Sequence, residues 1–342
     1  MFIRLNQVIK IIFCYISINL LFIKIKNINE EWEKYKLNPV LGNYKTGTLF
    51  DPFVLKHDNI YKMYVSWRPL KSIALSTSKD GINWSDLKIV LNPGNNNTWE
   101  SIINRGSIVI LNNKFYLWYT GQYKGISKIG LAISENGNNF TKYQKNPVLI
   151  PEYEYEKYSV MNPHVIYDNE EKIFKMWYAA GETVEPDVIC YATSKNGKNW
   201  IKYINNPIFK PNPNISSLDF YKIGGCDVHK ISNSKYLMFY IGYTDINTAR
   251  IFITESKNGI NNWKRNYKPI IKPSKNKFDS DSCYKPSAIY DNKRIKWMIW
   301  YNGRVKNKEF IGLATYHKYD IYKINNFIKI ILNITKTIFP FF

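Results

Sequence analysis

The sequence predicts an all-β chain folded as a five-bladed β-propeller of four-stranded antiparallel blades. Three observations predict it. A Ser-x-Asp/Asn-Gly turn returns at near-constant spacing, aromatic-rich strands recur upstream of each turn, and a fragment of one repeat stands at the N-terminal end of the series.

The turn is clearest in Ser78-Lys79-Asp80-Gly81-Ile82-Asn83-Trp84. It recurs at Ser134 to Phe140, at Ser194 to Trp200, and from Ser256 to Trp263 with one residue inserted. Its glycines, Gly81, Gly137, Gly197 and Gly259, are 56, 60 and 62 residues apart, the length of four strands with their connections. Asp-Gly and Asn-Gly suit a tight hairpin whose two central residues take positive φ. A β-rich run precedes each turn. Upstream lies an aromatic strand, as in Lys62-Met63-Tyr64-Val65-Ser66-Trp67, and before it an apolar strand opening on a polar residue. A fourth strand follows the turn and ends near Asn-Pro, at Asn92-Pro93, Asn146-Pro147 and Asn206-Pro207.

The fifth unit has three strands and neither the turn nor a fourth strand. The missing piece is Trp32-Glu33-Lys34-Tyr35-Lys36-Leu37-Asn38-Pro39, which matches Trp200 to Pro207 in its aromatic, Lys-Tyr and Asn-Pro spacing. The N-terminal strand is therefore expected to close the last blade and remove the open sheet edge. The ring is expected over residues 31–318. Residues 1–30 form an apolar and basic segment, readable as an anchor or a packed helix, and residues 319–342 an amphipathic tail. These termini suit peripheral association with a membrane, and location stays open between cell envelope and cytoplasm.

A net charge of +21 raises the question of nucleic acid, but the lysines are spread among Ile, Asn and Tyr and no recognition signature accompanies them. No nucleic-acid partner is expected, and nothing implies more than a monomer. The cysteines, Cys14, Cys190, Cys226 and Cys283, fit no metal or redox spacing; Cys226 and Cys283 fall at corresponding strand starts, where pairing is geometrically conceivable. No motif calls for a metal or cofactor.

Strand direction sorts the residues by face. The starts of the innermost strands, the loops joining second and third strands, and the entries to each blade share one face; the Gly turns lie on the other. The strand starts carry Asp51, Arg105, Asn162, Asp227 and Lys285, a polar or charged group in each blade. The loops add Trp67, Arg68, Glu182 and Arg304, and the entries add Trp99 and Glu100. Carboxylates, arginines and exposed aromatic rings converging on one funnel suit a carbohydrate. His164 and His229 alternate along their strands, where a structural role is the commoner one; His164 is kept as a substrate-binding candidate.

The turns, the aromatic strands and the segments Asn38-Pro39-Val40-Leu41 and Gly47-Thr48-Leu49-Phe50-Asp51-Pro52 resemble the five-bladed glycoside hydrolase superfamily, which contains families 32, 43, 68 and 130. The resemblance spans about residues 32–316 and does not single out one family. It implies that Asp51 is the nucleophile or general base. The third-blade Asp of those families is Asn162 here, followed by Pro163, and the fourth-blade Glu is absent from Gly224-Gly225-Cys226-Asp227. Glycoside cleavage needs one ionised carboxylate and one protonated acid. Asp227 ranks first as the acid, then Glu100 and Glu182, while Arg105 and Lys285 would depress nearby carboxyl groups or bind an acidic sugar. The expected function is a glycoside hydrolase acting on an oligosaccharide or polysaccharide. The alternatives are a non-catalytic glycan-binding propeller and a glycoside phosphorylase. For the last, Arg105, Lys285 and Arg304 could hold phosphate, although the Glu-Asp-Pro-Arg type motif associated with family 130 is absent.

Overall fold

Runs such as Lys175-Met176-Trp177-Tyr178, rich in aromatic residues and apolar on both faces, belong in strands covered from both sides. The computed structural model describes residues 32–317 and bears this out, with Met176, Trp177 and Tyr178 all fully buried. The terminal segments at residues 1–30 and 319–342 lie outside the described residues. Residues Glu33–Thr315 form one compact all-β unit.

After the short strand β1 (Glu33–Lys34), the first group holds β2 (Leu49–His57), β3 (Ile60–Trp67), β4 (Ser72–Ser78) and β5 (Lys88–Leu91). The second is β6 (Ile102–Leu111), β7 (Lys114–Tyr123), β8 (Ile126–Ser134) and β9 (Thr141–Lys142). The third is β10 (Ser159–Asp168), β11 (Ile173–Gly181), β12 (Val188–Ser194) and β13 (Ile201–Lys202). The fourth is β14 (Lys222–Ser232), β15 (Lys235–Asp245), β16 (Thr248–Ser256) and β17 (Lys264–Arg265). The last comprises β18 (Ser282–Asp291), β19 (Lys296–Val305) and β20 (Lys308–His317). Each group is an antiparallel meander, and a single parallel pairing of Ser159 with Ser127 joins the second and third into one eight-stranded sheet.

The last sheet takes its fourth strand from β1, with Glu33 opposite Thr315 and Lys34 opposite Ala314. The Asn-Pro motif explains the pairing. Asn38 clips Leu313 by accepting its N–H at 2.8 Å and donating to its carbonyl at 2.9 Å. Asn146 does the same to Leu131 and Asn206 to Tyr191.

The Gly turns are built differently from a two-residue hairpin. Among residues 78–84 only Gly81 has positive φ, at 79°. The Ser78 hydroxyl accepts the Gly81 N–H, and the Asp80 carboxylate accepts those of Ile82 and Asn83. The turns hold neighbouring groups together. The Trp118 indole donates to the Gly197 carbonyl at 2.8 Å, Trp177 to Gly259 at 2.7 Å, and the Tyr64 hydroxyl to Gly137 at 2.8 Å. Trp300 of the last group donates to Gly81 of the first at 2.9 Å. Cys190, Cys226 and Cys283 are buried free thiols, so the conceivable pairing of Cys226 with Cys283 is not made.

Candidate functional site

Each innermost strand is broken near its start by a β-bulge, between Phe50 and Phe53, Asn104 and Ser107, Met161 and His164, Ile223 and Cys226, and Tyr284 and Ser287. In four of them the first bulged residue has left-handed φ: Asp51 (52°), Arg105 (57°), Asn162 (51°) and Lys285 (32°). Such a backbone is costly for a residue with a side chain and persists when its surroundings hold it. Here the freed N–H groups are held by the neighbouring group. Asp51 donates to Asn302 Oδ1 at 3.0 Å, Arg105 to Ser66 Oγ at 2.9 Å and Asn162 to Thr120 Oγ1 at 3.1 Å.

Three of these side chains, Asp51, Arg105 and Asn162, line one cavity of about 570 Å³, with Arg68 and Arg304 on its wall. Arg105 Nε donates to Asp51 Oδ2 at 3.1 Å. The cavity also brings in residues that the sequence reading missed: Glu185, Glu309, Tyr243, Tyr284 and Asn302. The Tyr243 hydroxyl donates to Glu185 Oε2 at 2.5 Å. Glu309 receives Asn302 Nδ2 at 3.1 Å and faces Arg68 at 3.5 Å. Desolvation in the wall pushes Glu185 above the ordinary carboxyl range, helped by the nearby Asp51 and Glu309 charges and opposed by Arg105 and the Tyr243 hydroxyl. Glu309 is raised for the same first reason.

The other expected site residues lie elsewhere. Asp227 was expected at a strand start, but Gly224 holds the bulge position of its strand and Asp227 lies three residues further along β14. There it is buried between His164 Nδ1 at 3.1 Å and His229 Nε2 at 3.3 Å, and it accepts the Ala288 N–H. Burial alone would raise its pKa, but the imidazoles and that N–H hold it at about 2. A carboxyl so held is ionised at neutral pH and has no proton to give. His164 is enclosed as well, with its Nε2 2.9 Å from the Val228 carbonyl, and does not line the cavity.

Glu100 belongs to a repeated structural unit. It accepts the Tyr119 hydroxyl at 2.5 Å and pairs with Lys142 at 3.0 Å. Glu156 stands likewise with Tyr178 and Lys202, Asp219 with Tyr240 and Arg265, and Asp279 with Tyr301 and Lys34. In each, a carboxylate before the innermost strand ties the second strand to the fourth. Trp99 stacks on Tyr119 with ring centroids 6.1 Å apart, and the Trp67 indole donates to the Thr46 carbonyl at 2.9 Å, so neither ring faces the cavity. Lys285 is buried; desolvation lowers its pKa, against the pull of Asp51, and it does not line the cavity. Glu182 is a half-exposed rim residue paired with Lys157 at 3.0 Å.

Glu182 and Glu185 share one loop, and length was the available signal. Six residues separate β11 from β12, against two between β7 and β8 or between β15 and β16. A longer loop can fold back over the cavity. Among the described residues, no cluster of three or more His, Cys, Asp or Glu side chains is arranged to hold a metal, and no helix is long and apolar enough to cross a membrane.

Comparison with known proteins places these features. A 1,2-beta-oligomannan phosphorylase of Thermoanaerobacter sp. (strain X514) is 32% identical over 207 residues, covering 56% of this chain and 62% of that protein. A beta-1,2-mannobiose phosphorylase of the same organism is 30% identical over 176 residues, covering 46% of this chain and 54% of its own length. The chain thus spans less than two thirds of either relative. A solved structure described as a glycoside hydrolase superposes with a TM-score of 0.67 at 17% identity, covering 85% of this chain and 94% of that one, and so shares the fold. Residues 66–253, just over half of the chain, match the model of the glycosyl hydrolases family 32 N-terminal domain, and the chain belongs to that family.

Proposed function

We propose that the chain is a glycoside-cleaving enzyme whose five four-stranded groups close into a five-bladed ring over residues 31–318. Ring closure is supported by the hydrogen bonds that run from group to group and from the last back to the first, at Trp300–Gly81, Val54–Ser287 and Asp51–Asn302. The reaction proposed is phosphorolysis of a β-mannosidic bond in the cavity around Asp51 and Glu185. The observation that carries it is that one cavity is lined by two carboxyl groups with unlike environments: Glu185, raised by desolvation, and Asp51, paired with Arg105.

In this reading Glu185 donates its proton to the glycosidic oxygen as the bond from that oxygen to the anomeric carbon breaks. An oxygen of hydrogen phosphate forms the new bond to that carbon, and the proton released from the phosphate restores Glu185. Arg68, Arg105 and Arg304 among the residues that line the cavity favour phosphate as acceptor, since a guanidinium fork matches its oxygens. The names of the two bacterial relatives point the same way. Asp51 supports a second reading, hydrolysis, because a carboxylate held beside the site can activate water.

Incubating β-1,2-mannobiose with and without inorganic phosphate distinguishes these outcomes. Phosphorolysis gives mannose 1-phosphate plus mannose, and only when phosphate is present. Mannose release independent of phosphate would replace that reaction with hydrolysis. No cleavage in either condition would overturn the substrate assignment.

A further inference from the structure

A second cleft, of about 630 Å³, adjoins the first and shares Arg304 with it. Four of its lining side chains are cationic, Arg250, Lys272, Arg304 and Lys306, and only Asp281 is acidic. Asp281 offsets one of the four charges but pairs with none of them: its Oδ1 accepts the Ser280 hydroxyl at 3.0 Å and its Oδ2 the Lys306 backbone N–H at 2.6 Å. Among the described residues none of the four cations forms a salt bridge, whereas Lys142, Lys202 and Arg265 at the other entry segments each pair with a carboxylate.

Arg304 is set in advance for a ligand. Its Nη2 donates to the Asn247 carbonyl at 2.5 Å and its guanidinium lies 5.3 Å from the Tyr284 ring centre. Its Nε is buried without a hydrogen-bond partner. Arg250 is steadied by the Thr244 hydroxyl at 3.1 Å. Four like charges gathered in a concave site repel one another, and an anion relieves that repulsion while supplying the acceptors these donors lack.

We infer that this cleft is a subsite for an anionic sugar unit, one bearing a phosphoryl or carboxyl group, belonging to the same oligosaccharide whose bond is broken in the adjoining cavity. The inference rests on the glycoside-cleaving reading for the identity of the ligand. Arg304 lines both sites, which places the anionic unit beside the sugar that the adjoining cavity holds.

Isothermal calorimetry at low salt with mannose 6-phosphate, mannose and inorganic phosphate tests it, on the full chain and on Arg250→Gln/Lys272→Gln; Lys272→Gln alone serves if the double variant fails to fold. Mannose 6-phosphate should bind at least about tenfold more tightly than mannose or inorganic phosphate, and each cation removed should weaken it by about tenfold, as for a charged hydrogen bond. Cleavage of neutral β-1,2-mannobiose should be unchanged in both variants. Mannose 6-phosphate binding that the variants leave intact would overturn the subsite. Inorganic phosphate binding as tightly as the sugar phosphate, and weakened by the same variants, would make the cleft a free-anion site and overturn the sugar assignment, whereas phosphate binding that the variants leave intact belongs to the adjoining cavity. Variant-sensitive sugar phosphate binding in a protein that cleaves no mannobiose would sustain the subsite and remove the enzymatic reading alone.

Discussion

Replacing Lys34 by Met breaks the strap that joins the N-terminal strand to the last sheet and leaves the apolar stem in place. Lys34 Nζ lies 2.5 Å from Asp279 Oδ2, 2.7 Å from Ser274 Oγ and 2.5 Å from the Lys272 carbonyl. The Asp279 side chain is 1% exposed and that of Lys34 24%. Removing one partner of a fully buried pair costs about 3–5 kcal/mol. The part-exposed ammonium and the remaining Tyr301 hydroxyl at 2.8 Å reduce that, so a loss of about 2–4 kcal/mol is expected. For a unit of this size that corresponds to roughly 4–8 °C in Tm. Denaturant melts of Lys34→Met, Asp279→Asn and the double variant form a cycle in which the second change should cost little once the first is made. A coupling of about 1–3 kcal/mol is expected. Melts of Lys34→Met within about 0.5 kcal/mol of the parent, or additive single changes, would refute the claim that this ion pair secures the last sheet.

Other expectations follow from the carboxyl groups. Asp227→Asn should lower stability by about 1–3 kcal/mol, because the charge between two imidazoles is lost, while folded protein keeps its turnover; lost turnover with unchanged melting would return Asp227 to the chemistry. Glu185 has a folded-state pKa above its ordinary value of 4.5, so its protonated form favours the folded state. That contribution is present below the ordinary value and is lost as pH rises through the raised one. Thermal melts against pH should therefore show Glu185→Gln gaining on the parent across that window, and parallel curves would contradict the assignment. Glu100→Gln should lower the melting temperature and leave the pH profile of turnover unshifted, since its partners Tyr119 and Lys142 are structural.

The repeat made the strand groups and the pairing of residues 32–41 with the last sheet legible, because turn spacing and Asn-Pro clips are local in sequence. The same regularity misdirected the reading of Asp227. The fourth bulge spans two residues like the others, but they are Gly224 and Gly225; with no polar side chain at the bulge, the first polar residue of the strand core is Asp227, and Gly224, not Asp227, stands level with Asp51. Glu100 looked functional from its position alone. Its meaning appears only when Glu156, Asp219 and Asp279 are seen to make the same tie across separate sheets. Glu185 and Glu309 were not singled out because no motif marks them. Their surroundings come from loops and strands far apart in the chain, Tyr243 for the first and Asn302 with Arg68 for the second.

The proton-donor role of Glu185 is tested most directly by leaving-group dependence. Glu185→Gln keeps the side chain's shape and removes its proton. Its kcat/KM on β-1,2-mannobiose should fall by about 10²–10⁴, the usual contribution of a positioned acid, while a 2,4-dinitrophenyl mannoside, whose leaving group departs without protonation, should be turned over at close to the parent rate. Equal losses on both substrates, or no loss on the mannobiose, would contradict the account.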